Sequence, residues 1–175
     1  MASYYNMLVA GTENINTASL TATSITAPST PSYVTGPAVV NTTATTLAVT
    51  ATQHGGKTVT VSSTAPIAIT LPAATGSGTK YNFLFLVAAT GTASTVSTAA
   101  SAEVYNGYSF ALTTSSDNVI GYKTTATDNT VSFNGGTQGG FSGDSVAVQD
   151  VGTSTWSIQI TAKATGSTAT PFSHV

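Results

Sequence analysis

Apolar and polar residues alternate firmly from Lys57 onward and only weakly before it. Lys57-Thr58-Val59-Thr60-Val61-Ser62 alternates cleanly, and Ile67-Ala68-Ile69-Thr70-Leu71 does so again before Pro72 stops it, so each segment predicts a strand. Tyr81-Asn82-Phe83-Leu84-Phe85-Leu86-Val87 is the most hydrophobic run of the chain. Its shortness and its aromatic members predict a central strand buried on both faces. Further strands are predicted over Tyr108 to Leu112, Val119 to Lys123, Thr130 to Asn134, Ser145 to Val151 and Thr155 to Ala162. Turn signals at Asn106-Gly107, Asp117-Asn118, Asp128-Asn129 and Asn134-Gly135-Gly136 punctuate them. Ala88 to Ala102 is ambiguous: Ala99 to Glu103 could open a helical turn, whereas the Thr and Ser residues before it favour loop or strand. The pattern predicts an all-β protein, a β-sandwich or jelly-roll-like domain without long helices.

The first fifty residues read differently. Their larger apolar residues stand singly (Ile15, Leu20, Ile25, Tyr33, Leu47), and Pro28, Pro31 and Pro37 interrupt any ladder. Residues 1–50 are therefore expected to be an extended N-terminal arm and residues 51–175 the folded domain. Ala18 to Thr26 alternates weakly, as a strand on another subunit or a segment that orders on binding would; a loose terminus is the alternative.

Composition narrows the function. Four basic and six acidic residues make only 6% of the chain charged, against about 25% ordinarily, while threonine supplies roughly a fifth. Threonine suits a pleated surface, where its hydroxyl is solvated or bonded across strands. With a net charge of −2, an exposed sheet edge has little repulsion to keep other chains away. Four lysines without arginine do not make a nucleic-acid footprint. Lys57, Lys80, Lys123 and Lys163 fall at predicted strand ends, as edge gatekeepers would. There is no cysteine, which removes disulfides and thiol chemistry. No apolar run is long enough for a membrane span, and no basic segment precedes Met7 to Ala10 as a secretory leader requires. A soluble product of a cytoplasm, without membrane or nucleic-acid partners, is expected.

Candidate chemistry is sparse. Ala51 to Thr58 matches a loose phosphate-loop pattern, but Val59-Thr60-Val61 starts a strand where that loop needs a helix, and a tight turn with Gly55 and Gly56 at positive φ is the plainer reading. His54 and His174 are the only imidazoles, and no Gly-x-Ser-x-Gly elbow accompanies them. Glu13, Glu103, Asp117, Asp128, Asp144 and Asp150 are scattered. Asp144 and Asp150, an even number apart, share one face of a predicted strand, but the dense oxygen spacing of a calcium loop is missing. Asp117 and Asp128 read as turn caps. No catalytic residue, metal ligand or cofactor is assigned, and the chain reads as a non-enzyme.

The Gly-rich loop Gly135 to Asp144 is the most distinctive segment. It stands with His54-Gly55-Gly56-Lys57-Thr58-Val59, with Thr70-Leu71-Pro72-Ala73-Ala74-Thr75-Gly76 leading to Tyr81-Asn82-Phe83, with Asp128-Asn129-Thr130-Val131, and with Ala164-Thr165-Gly166-Ser167 before Pro171-Phe172. In this order the segments resemble small virion proteins of tailed bacteriophages, several of which look like capsid decoration (cement) proteins. The resemblance covers about residues 51–175. It implies a β-rich oligomer, often a trimer, that binds the outside of the mature head and bridges major capsid protein subunits. On that reading Tyr4, Tyr5, Met7, Leu8 and Val9, an apolar aromatic cluster at an uncharged terminus, are the expected capsid anchors, packing on their own domain being the alternative. A tail-fibre or adhesin head that binds a host receptor or glycan is the second reading.

Overall fold

In the computed structural model, residues 38–90 and 92–175 are described. The chain divides into a unit over Met1–Thr35, which lies outside the described residues, and a unit over Gly36–Val175. The second unit is built from β1 (Val39–Thr42), β2 (Thr46–Ala48), α1 (Ala51–His54), β3 (Thr58–Val61), β4 (Ala68–Thr70), β5 (Lys80–Phe85), β6 (Ser94–Ser97), β7 (Val104–Thr113), β8 (Val119–Lys123), β9 (Thr130–Phe133), β10 (Ser145–Gly152), β11 (Thr155–Ala164) and β12 (Phe172–Ser173). Every strand predicted from Lys57 onward is present, and the weak alternation over Ala18 to Thr26 lies outside the described residues. β1, β2, β6 and β12 are additional.

The strands form a seven-stranded sheet, ordered β1-β3-β5-β10-β11-β7-β8, and a five-stranded sheet, ordered β12-β9-β6-β4-β2. From β1 to β6 the chain alternates between the two sheets at each strand. Consequently β1, β3 and β5 lie side by side and parallel, as do β2, β4 and β6. Parallel neighbours need a crossover, and here a strand of the opposite sheet serves as the crossover that a helix usually provides. Val39 sits beside Thr58 and Thr58 beside Asn82, so each winding stacks on the previous one. The β10–β11 hairpin then inserts between β5 and β7, antiparallel to β5 and parallel to β7.

The two sheets face each other across one core. Val59, Phe83, Phe85, Trp156, Ile158 and Ile160 of the larger sheet bury against Ile69, Val96, Val131 and Phe133 of the smaller. Phe85 and Phe133 meet at 5.0 Å between ring centroids, and the Tyr105 hydroxyl of the larger sheet donates to the Val96 carbonyl of the smaller at 3.1 Å. The sandwich expectation holds, and the parallel windings separate it from an all-antiparallel jelly roll.

Five sequence expectations change. The turn expected at Asn106-Gly107 lies inside β7, where both residues pair with β11. The folded unit starts at Gly36 and not at residue 51, because β1 and β2 already belong to the two sheets and Val49 is buried. β5 is interior to its sheet but buried on one face only: Tyr81, Phe83 and Phe85 point into the core, while Asn82 and Leu84 are half-buried on the outer face. Of the lysines only Lys123 lies on an edge strand; Lys80 and Lys163 belong to interior strands, and Lys57 precedes the interior β3. Finally, Gly56 alone of its pair has positive φ, at 68°. Gly55 has φ −59°, and it must be glycine because a Cβ there would stand 2.5 Å from the Ala51 carbonyl oxygen.

Candidate functional site

Sequence reasoning looks for chemistry at the carboxylates, the histidines and the glycine-rich loop, and the fold gives each of them a local partner. Asp150 lies in β10 opposite Trp156 of β11. The loop between β4 and β5 wraps over it, with Gly76 and Gly78 at φ 80° and 75°. That curl turns successive amides inward. Asp150 accepts the N–H groups of Thr75 at 3.1 Å, Gly76 at 2.7 Å and Ser77 at 2.9 Å, and the hydroxyls of Thr75 and Ser77 at 3.1 and 2.8 Å. Burial pushes the Asp150 carboxyl upward, but the Ser77 amide and hydroxyl, with the Thr75 and Gly76 amides, outweigh it and hold the group below the usual carboxylate range.

Glu103 grips the neighbouring amide of the same loop. It accepts the Ala74 N–H at 3.0 Å through one oxygen and the Trp156 indole N–H at 3.2 Å through the other. Burial, with the Glu103 charge nearby, pushes the Tyr105 phenol upward, which keeps it a donor.

Asp144 closes the glycine-rich loop. It accepts the N–H groups of Gly140 at 2.8 Å, Phe141 at 2.9 Å and Lys163 at 3.0 Å. Here burial prevails, and the carboxyl is raised despite the Phe141, Lys163 and Gly140 amides and the Lys163 ammonium. Asp128 caps its turn as expected, accepting the Thr125 N–H at 2.7 Å.

These carboxylates are loop clasps. Asp144 and Asp150, six positions apart along a strand, stand about 20 Å apart, whereas paired glycosidase carboxylates stand about 5–10 Å apart. Glu103 and Asp150 do share one loop, but both are at least 95% buried and saturated by donors. Among the described residues no group of three or more His, Asp and Glu side chains could hold a metal ion.

The histidines are equally local. The N–H of Thr50, the N-cap of α1, donates to His54 Nδ1 at 3.0 Å, and His174 Nδ1 contacts the Thr127 carbonyl at 2.8 Å. Lys57 Nζ donates to the Gln53 carbonyl at 2.8 Å. The helical turn precedes the glycines and β3 follows them, so the amides and helix terminus of a phosphate loop are not assembled.

What remains is surface. On the outer face of the larger sheet, Lys80, Asn82, Ala147, Gln149, Ser157 and Gln159 line a shallow depression of about 200 Å³. Beyond Gln159 stand Tyr108, Phe110 and Leu112 of β7, 40%, 49% and 41% exposed, with Tyr108 and Phe110 ring centroids 5.0 Å apart. Sequence reasoning placed this strand but not its outward face. Its signal is Tyr105: this side chain is buried, and strand parity then turns Gly107, Ser109 and Ala111 inward and the large residues out. Tyr4, Tyr5, Met7, Leu8 and Val9 lie outside the described residues. No protein-family model, no curated protein and no solved structure matches the chain.

Proposed function

We propose that this chain is a structural virion protein, a capsid decoration protein that binds the outside of a mature tailed-phage head and bridges its major capsid protein subunits. The observation that carries this reading is how the charges are used. Of the five carboxylates among the described residues, Glu103, Asp128, Asp144 and Asp150 are buried on loop amides and only Asp117 is exposed. The polar surface that remains is mainly hydroxyls and amides on a rigid two-sheet frame. Such a surface binds by shape, hydrogen bonds and apolar contact, as a subunit bridge requires, and lacks the ionised groups that nucleic acid or acid–base chemistry needs.

Binding is the whole mechanism on this reading. A protein that binds only the mature lattice raises the apparent stability of that lattice by mass action, and several weak contacts suffice when more than one shell subunit is engaged. The anchors on this reading are Tyr4, Tyr5, Met7, Leu8 and Val9, and the protein would be made in the bacterial cytoplasm and end on the outer capsid surface.

Quantitative mass spectrometry of purified particles tests it. A copy number close to that of the major shell protein is the expected result, and absence from particles overturns it. A handful of copies favours the second reading, an adhesin head. The depression at Ala147 supports that reading, because its neutral amides and hydroxyls match a hydroxylated ligand such as a glycan. A glycan array without hits counts against it.

A further inference from the structure

β8 ends the larger sheet, and among the described residues no strand pairs with its outer edge. Its outer face is bare, with Val119, Gly121 and Lys123 exposed; on the inner face Ile120 is exposed, while Tyr122 packs against the core and donates its hydroxyl to Thr168 at 2.6 Å. An exposed apolar edge strand is a template for pairing with another chain.

The ladder with β7 defines what that edge offers. Thr124 N–H donates to the Gly107 carbonyl and Thr113 N–H to the Asn118 carbonyl, so the narrow pairs fall at these positions and at every second residue between them. By parity the N–H and C=O groups of Val119, Gly121 and Lys123 point away from β7.

Charge selects the partner. The two charged residues of this segment are Asp117, two residues before the strand, and Lys123 at its end, and both are exposed. A copy of β8 laid antiparallel and centred on Gly121 sets Lys123 opposite Val119. This brings each Lys123 near the partner's Asp117, which sits in the β7–β8 turn at φ 53° outside the strand, at a separation that the long lysine side chain can span. The same register uses all three outward-facing residues in ladder bonds and brings the two Gly121 residues together. The Phe110 ring lies over Gly121, its Cε1 atom 3.4 Å from where a Cβ would stand, and shields the exposed backbone as aromatic residues do for edge glycines. Tyr108, Phe110, Leu112 and Val119 form an apolar patch of roughly 300–400 Å², the size of the largest patch on an ordinary monomer. Pairing joins the patches of two copies into one stripe.

We infer that β8 is a self-association edge: two copies of this chain pair antiparallel through β8 about a two-fold axis at Gly121, held by Asp117–Lys123 contacts at both ends. This gives an assembly with an even number of copies, unlike the threefold one that the family resemblance implies, and it stands independently of the capsid reading.

Sedimentation of the full chain over a concentration series tests it. The expected result is a reversible dimer or a multiple of dimers. Lys123→Asp sets two carboxylates against each other at both ends and should weaken association about tenfold or more, with Trp156 fluorescence unchanged as a check of the fold. The charge-swapped double variant, Asp117→Lys with Lys123→Asp, should restore it. In hydrogen exchange the Gly121 amide should become protected as concentration rises. A monomer, a trimer, or a dimer unaffected by Lys123→Asp would overturn the inference.

Discussion

Asp150 takes both the amide and the hydroxyl of Ser77, at 2.9 and 2.8 Å, and so ties the loop before β5 to the end of β10. Replacing it with Asn puts an amide donor among donors and leaves partly buried loop N–H groups without acceptors, at a cost of about 3 kcal/mol. Urea unfolding of Asp150→Asn should show this as a lower midpoint with an unchanged slope.

Acid should reveal two carboxylates of opposite sign. Asp150 is held below its ordinary value, so the folded protein binds its proton less readily than the unfolded chain does. Its contribution is present at neutral pH and is lost as pH falls below the unfolded value of about 4. Asp144 is raised by burial, so its proton binds more readily in the folded protein, and stability gained from it on acidification partly offsets that loss. The acid limb of stability against pH should therefore flatten in Asp150→Asn and steepen in Asp144→Asn.

Two glycines of the β7–β8 corner should respond differently to alanine. At Gly107 a Cβ would run into the backbone carbonyl of Ile158, which the parallel β11 ladder holds in place. At Gly121 the nearest atom is the edge of the Phe110 ring, at ordinary contact distance. Gly107→Ala should cost about 2–4 kcal/mol and Gly121→Ala under about 1 kcal/mol in thermal unfolding.

The same contrast shows what the sequence could convey. Alternation located β3, β4, β5, β10 and β11 because one face of each is packed on the core, so burial leaves a period of two in the residue types. It could not tell which face of β7 is buried, since Tyr105, three residues after the ambiguous stretch ends at Ala102, points inward and carries the parity that turns Phe110 out. β1 and β2 escaped notice because Val39-Val40-Asn41-Thr42 and Thr46-Leu47-Ala48 are short and are stabilised by parallel neighbours distant in sequence, Thr58 and Ala68 among them. The carboxylate clasps were illegible for a similar reason. Asp150 meets Thr75 and Asp144 meets Lys163 only after distant strands pair, although the Asp144 contact with the Phe141 amide is as local as that of Asp128. Asp128 was readable as a turn cap, because its partner Thr125 is three residues away.

Phe110 and Phe133 give a further check on the two faces. Phe133 is fully buried against Phe85, whereas Phe110 is 49% exposed. Phe133→Ala should cost about 3–5 kcal/mol, while Phe110→Ser should leave the melting temperature of the dilute protein within a few degrees of the parent. A large loss in both variants would mean that the β7 face is covered in the isolated chain.

Truncation tests what residues 1–35 contribute. Gly36 opens the second unit and Val39 begins β1, so a chain starting at Gly36 keeps every described strand and should unfold with the same cooperativity as the parent. A chain starting at Ala51 loses β1 and β2. It exposes the edge of β3, deprives Ser62 N–H of the Thr42 carbonyl and the Thr60 and Ser62 hydroxyls of Asn41, and removes Thr50, the cap of α1. With buried Val49 also gone, that chain should be less stable by several kcal/mol, on the order of 4. The capsid reading adds a second measurement on the same pair. The Gly36 chain should keep its melting temperature and lose binding to mature heads in co-sedimentation. If it still sediments with the heads, Tyr4, Tyr5, Met7, Leu8 and Val9 are not the anchors, and the contact belongs to the folded unit.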